Sequence, residues 1–146
     1  MTLSILLLTN PVRRQALERA LVVLVEQEIA SKQGVEGRLI KMVYTNSQKL
    51  LPGVLTKAIT LTLPGLVNDL ELEYAQARKT TTPFSHYLLK PECRPHITKA
   101  VLKAFDHMSV QYPLLKPLYL LIRGRIEYHA LQGIPRLSAT LKPFTG

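Results

Sequence analysis

Cys93 and His96 stand three positions apart in "YLLKPECRPHITKAV", residues 87–101, with prolines on either side of them. Such a pair could serve as a thiol nucleophile with its base, or as two ligands of a metal ion. A nucleophilic thiol needs a depressed pKa, which Arg94 beside it and a helix starting near Pro95 would favour. No Asn or Asp accompanies the pair as an orienting partner, and the full local signature of a cysteine enzyme is missing. The thiol is therefore expected to be an unreactive side chain, partly buried or at the surface. His86, His96, His107 and His129 form no i,i+4 pair, there is one cysteine, and no HExxH pattern occurs, so no metal-ligating spacing is present. Glycine-rich phosphate loops and a G-x-S-x-G elbow are absent too. Asp69 and Glu73 read as a solvated acidic edge of a helix, while Glu71 and Glu73 point to different faces. No catalytic residue, metal or cofactor is expected.

The remaining chemistry is cationic. Nineteen Lys and Arg against ten Asp and Glu give a net charge of +9, an excess that favours anionic partners. The candidate binding groups are Arg14, Arg19, Lys41, Arg94, Lys99, Lys103 and Arg125. Lys99 and Lys103 share a helix face at i,i+4. The competing reading is a solvated exterior whose cations pair locally with Glu18, Glu26 and Glu36. The expected function is non-enzymatic: a scaffold that docks an acidic protein or a second copy of itself through a basic surface. Alternatives are nucleic acid, a peripheral contact with an anionic membrane, and a small ligand. Scarce aromatics and the lack of a dense basic stripe weigh against nucleic acid.

The elements that must carry these groups read as helices. A chain of 146 residues with 47% hydrophobic content suits one domain, spanning 1–146, with a core of small aliphatic side chains. Asn10 is expected to cap a helix that begins at Pro11 and stops before Gly34. Its apolar residues extend nearly all round, which predicts a central position. A second helix is expected before Pro52-Gly53, with Leu39, Ile40, Val43 and Leu50 inward. Residues 54–79 predict two pieces divided or kinked at Pro64-Gly65. A short helix capped by Thr82 follows, then helices over 95–111 and 114–132 and a last one near Pro135. No sustained alternation appears, so the expected fold is an all-α, compact bundle of about six to eight helices. A single cysteine cannot form an internal disulfide, no secretory signal pattern is seen, and the apolar stretch 50–67 is broken by Lys57 and two Pro-Gly pairs. A cytoplasmic protein without a membrane span is expected.

A displacement of about 80 residues brings "LLTNPVRRQALERAL" onto the opening stretch, matching Leu8 with Leu88, Pro11 with Pro91, Arg14 with Arg94 and Ala20 with Ala100. Tyr44 to Pro52 meets Tyr128 to Pro135 in the same order. The chain is thus expected to hold two pseudo-symmetric halves, 7–63 and 87–142, joined by a connector at 64–82, with the helices from Pro11 and Pro95 as packed counterparts. Cys93 and His96 then fall opposite Arg13 and Ala16, which marks them as additions to a structural unit.

The pattern Glu28-Ile29-Ala30-x-Lys32-x-Gly34-x-x-Gly37-x-x-Ile40-Lys41-x-x-Tyr44, followed by Lys49 and Pro52-Gly53, resembles a family of small, uncharacterised helical bacterial proteins. The resemblance extends over most of the chain. It implies a helical fold and carries no enzyme activity, ligand or functional residue with it.

Overall fold

The computed structural model describes residues 3–77 and 83–145. In chain order these form α1 (Leu3–Leu8), α2 (Pro11–Ser31), α3 (Gly34–Leu50), α4 (Val54–Ala77), α5 (Phe84–Tyr87), α6 (Arg94–Gln111), α7 (Lys116–Ile122), α8 (Ile126–Gln132) and α9 (Ile134–Thr145). Short 3-10 turns at Pro91–Cys93, Pro113–Leu115 and Arg123–Arg125 lead into α6, α7 and α8. Among the described residues, seven helices have seven residues or more and no strand occurs, so the chain is all-α.

Local chemistry sets the first boundaries. The Asn10 side chain accepts hydrogen bonds from the Val12 and Arg13 amides at 3.0 and 3.2 Å, and Pro11 begins α2. Gly34 and Gly53 adopt φ of 75° and 73°, a region that costs residues with a Cβ about 1–2 kcal/mol. These glycines turn α2 into α3 and α3 into α4, the latter two meeting at 93°.

Several expectations are corrected. One helix, α4, runs through Pro64 without a break. Pro64 forfeits one backbone hydrogen bond, but Leu63, Val67 and Leu70 on the same helix are buried in the core, and their burial outweighs the local cost of about 3 kcal/mol. The stretch 114–132 is not one helix: it divides at Arg123–Arg125, where Gly124 lowers helix propensity. Leu50 faces solvent, 48% exposed. In α2 only Leu17 and Leu24 are buried and Val23 is 52% exposed, so this helix packs along one side instead of sitting at the centre. The Thr82 cap lies outside the described residues.

The main core gathers Leu7, Leu17, Leu63, Val67, Leu88, Cys93, Ile97 and Leu141 from both halves. A smaller cluster of Val54, Met108 and Leu115 sits under Tyr44 and Tyr112, where the α3–α4 corner meets the end of α6. The two halves exchange partners across this core. α2 packs on α9 as α6 packs on α4, while α1 lies on α4 as α5 lies on α9. Pro11–Ser31 and Pro91–Gln111 have equal spans at a displacement of 80 residues. The correspondence has limits. α2 and α6 share at most a marginal direct contact, and α2 also packs on α4 without a comparable α6–α9 interface. The long helices thus face one another across shared core residues and each docks on the other half's last helix. Among the described residues, no single helix is long and apolar enough to cross a membrane.

Candidate functional site

The Cys93 and His96 side chains diverge. Cys93 is fully buried, beyond the partial exposure the sequence suggested. Burial pushes its thiol up to about 11, although the Tyr87 hydroxyl hydrogen-bonds to it and acts the other way. A thiol held neutral in an apolar core has no nucleophilic character near neutral pH. His96 turns instead to α4, its Nε2 3.4 Å from Glu73 Oε2. The acidic edge of α4 is a docking strip: Asp69 holds Lys103 at 3.2 Å and Glu71 accepts from Ser4 at 2.6 Å. Among the described residues, no group of three His, Cys, Asp or Glu could hold a metal ion.

The seven cationic candidates fall into two sets. Arg14 pairs with Glu18 at 3.1 Å, Lys103 with Asp69, and Arg125 with Glu36 at 2.6 Å. These three are committed to local carboxylates. Arg19, Lys41, Arg94 and Lys99 are exposed and form no ion pair among the described residues, but they are spread over α2, α3 and α6. Tyr44 and Tyr128, which the halves would make equivalent, have unrelated surroundings. The Tyr44 hydroxyl accepts from Gln48 at 2.7 Å beside the smaller core cluster. Tyr128 is 47% exposed under the Arg125 guanidinium, 4.4 Å from its ring centre.

One of the unpaired cations belongs to a larger arrangement that the sequence reading missed. Arg38, Lys41, Thr45 and Lys49 recur at three- and four-residue spacing and are all exposed, so they line one side of α3. Val35 and Met42, 80% and 40% exposed, lie on the same side. The carboxylate of this helix, Glu36, points to the opposite side and is bound to Arg125. The outer face of α3 is thus cationic and partly apolar with no acidic residue. Its signal in the sequence is the three- and four-residue spacing of the cations, of which only Lys41 is among the positions repeated in both halves.

A second feature gathers the charges that are paired. The end of α2, the α2–α3 corner and the α8–α9 junction enclose an open cleft of about 440 Å³. Gly37 permits the close approach of α3 to α2, since a Cβ there would lie 2.6 Å from the Lys32 carbonyl carbon. Glu28 stands between Lys32 at 3.5 Å and Arg136 at 3.3 Å, and Lys32 Nζ also donates to Gln132 Oε1 at 3.0 Å. Glu36 stands between Arg125 and His129 Nε2, the latter 3.1 Å away. Hydrogen bonds from Arg125 and then His129 hold the Glu36 carboxyl below its ordinary range, and Glu36 in turn raises Arg125. His129 Nε2 and Arg136 Nη1 are buried and answered by these carboxylates at 3.1 and 3.3 Å, off the ideal hydrogen-bond line, while the buried Nδ1 of His129 has no hydrogen-bond partner among the described residues. None of the seven sequence candidates lines this cleft; Arg125 bears on it only through its pair with Glu36. Glu28, Lys32, Gly34 and Gly37, however, come from the pattern that carried the family resemblance, and each is used here: two as charged walls, two as the turn and the close contact.

No curated relative and no solved structure matches the chain. The recognisable pattern is nonetheless spread along nearly all of it, and on that match to residues 5–145 the chain belongs to a family of unknown function, DUF6918.

Proposed function

We propose that this protein is a non-enzymatic interaction module that docks an acidic protein partner through the outer face of α3, within a bacterial cytoplasm. The observation that carries the reading is the cationic side of α3. Arg38, Lys41 and Lys49 are exposed along about 16 Å of helix, free of ion pairs among the described residues and with no carboxylate of α3 itself on their side. Charge of one sign with no internal counterpart favours a partner of the opposite sign and speeds its approach. Val35 and Met42 on the same side as the cations supply apolar contact that a protein surface can cover and a phosphate backbone uses less well. Arg14, Lys103 and Arg125 contribute less, since each is already neutralised. The lone cysteine, buried and unpaired, suits a reducing compartment.

The test measures binding of a fluorescent poly-glutamate peptide, duplex DNA, single-stranded DNA and vesicles rich in anionic lipid, at low and moderate salt. The wild-type chain is expected to bind the acidic peptide in a salt-sensitive manner. A chain carrying Arg38→Glu, Lys41→Glu and Lys49→Glu should lose that binding while keeping its helical circular dichroism. Tighter binding to either DNA or to vesicles than to the peptide, or peptide binding that survives the triple reversal, would overturn the proposal.

A further inference from the structure

We propose that the cleft between the end of α2 and the α8–α9 junction binds a small oxyanion, a carboxylate or phosphate group carried by a small molecule, through Lys32, His129 and Arg136. This site is separate from the α3 face and stands or falls on its own geometry.

Three groups able to carry positive charge line it from distant parts of the chain: Lys32 after α2, His129 in α8 and Arg136 in α9, while Arg125 before α8 holds Glu36 from outside the lining. Two carboxylates face them. Lys32 and His129 are drawn out of water, their side chains 10% and 16% exposed, while Arg136 keeps 38% at the mouth. Desolvating cations without full compensation is unfavourable, so such a cluster needs acceptors. Donors exceed those the two carboxylates answer. Lys32 has three protons, two of which go to Glu28 and Gln132, and Arg136 has five N–H groups. His129 Nδ1 is buried with no hydrogen-bond partner among the described residues, and Arg136 Nη1 and His129 Nε2 meet their carboxylates only at 3.3 and 3.1 Å and off the ideal hydrogen-bond line.

The two carboxylates are held unequally. Arg125 grips Glu36 at 2.6 Å with a second contact at 3.5 Å, and its guanidinium lies against Tyr128. Glu28 is held at 3.3 and 3.5 Å, longer than the roughly 2.7–2.9 Å of a well-made charge-assisted hydrogen bond. Glu36, gripped by Arg125, is therefore the fixed carboxylate of the cleft wall, and Glu28 is the exchangeable anion. A ligand oxyanion takes the acceptor position between Lys32 and Arg136, with His129 as third donor and Gln132 holding Lys32 in place. A cation is a poor occupant, because both carboxylates already face cations and the whole chain carries +9. The volume of about 440 Å³ lies within the range of small-molecule sites, and the polar walls select a hydrophilic molecule.

Isothermal titration of the full chain with inorganic phosphate and with succinate, at constant ionic strength set by sodium chloride, tests the assignment. Saturable binding of at least one probe is expected, with phosphate the tighter if the ligand is a phosphoryl compound and succinate the tighter if it is a carboxylate. Arg136→Gln and Lys32→Gln should each weaken binding about tenfold or more, while the triple reversal on α3 leaves it unchanged. A variant that fails to fold is replaced by a nuclear magnetic resonance titration of the wild type, in which the His129 imidazole signals should move with the probe and saturate. No saturable binding of either probe, or saturation that leaves His129 unmoved, would overturn the site.

Discussion

Replacing Gly37 by Ala is expected to destabilise the fold and open the cleft together. A Cβ at this position lies 2.6 Å from the Lys32 carbonyl carbon and 2.7 Å from its oxygen, against about 3.5 Å for unstrained contact between carbon atoms. Both obstructing atoms are backbone, so no side chain can rotate away. Relief requires the α2–α3 corner to spread by the better part of an ångström, carrying Lys32 with it. Overpacking of this kind costs about 1–3 kcal/mol, and a rigid obstacle belongs at the upper end. Alanine's better helix propensity returns about 1 kcal/mol, leaving a net loss of about 2 kcal/mol. An unfolding entropy of about 2.1 cal/mol/K per residue makes each kcal/mol worth about 3 °C in a chain of 146 residues. The midpoint of thermal unfolding, followed by circular dichroism, should fall by about 6 °C. Gly65→Ala is the control. Its Cβ meets open space in the interior of α4, so the same propensity gain should raise the midpoint by about 3 °C. A Gly37→Ala chain that melts at or above the wild-type temperature would refute the close-contact argument and the cleft geometry built on it.

Two further outcomes follow from the buried and paired groups. Cys93 should resist a thiol reagent at pH 8 in the folded chain and react once urea unfolds it; Cys93→Ser should cost ~1 kcal/mol by placing a hydroxyl in the core. The thiol ionises near 9.0 when unfolded and only near about 11 when folded, so stability should fall as pH rises through that window, and a wild-type chain no more alkali-sensitive than Cys93→Ala would contradict it. Glu36 has the opposite sign. Its folded pKa is lowered from 4.5 by Arg125 and His129, so its contribution is present above that value and lost as pH falls through the lower folded one. Glu36→Gln should therefore melt below wild type at neutral pH, with the difference closing in acid; a difference that persists unchanged at pH 3 would show that the carboxylate's charge is not what matters.

What the sequence determined by itself was local. Asn10 and Pro11 start α2, Gly34 and Pro52-Gly53 place its end and the next corner, and the apolar spacing makes every element a helix, because caps, φ-restricted residues and periodicity act within one or two turns of chain. Tertiary packing decided the rest. Pro64 is carried inside a helix because Leu63, Val67 and Leu70 are buried around it, and Cys93 became a core residue because α5, α6 and the main cluster close over it. The cleft lay beyond any local reading. Glu28 and Arg136, or Glu36 and His129, are about a hundred residues apart, and only the docking of α8 and α9 against the α2–α3 corner sets them side by side. Of its parts the sequence assigned a role to Gly34 alone, as the stop of α2; Glu28, Lys32 and Gly37 stood in the family pattern with no role attached, because the contacts they make are set by packing.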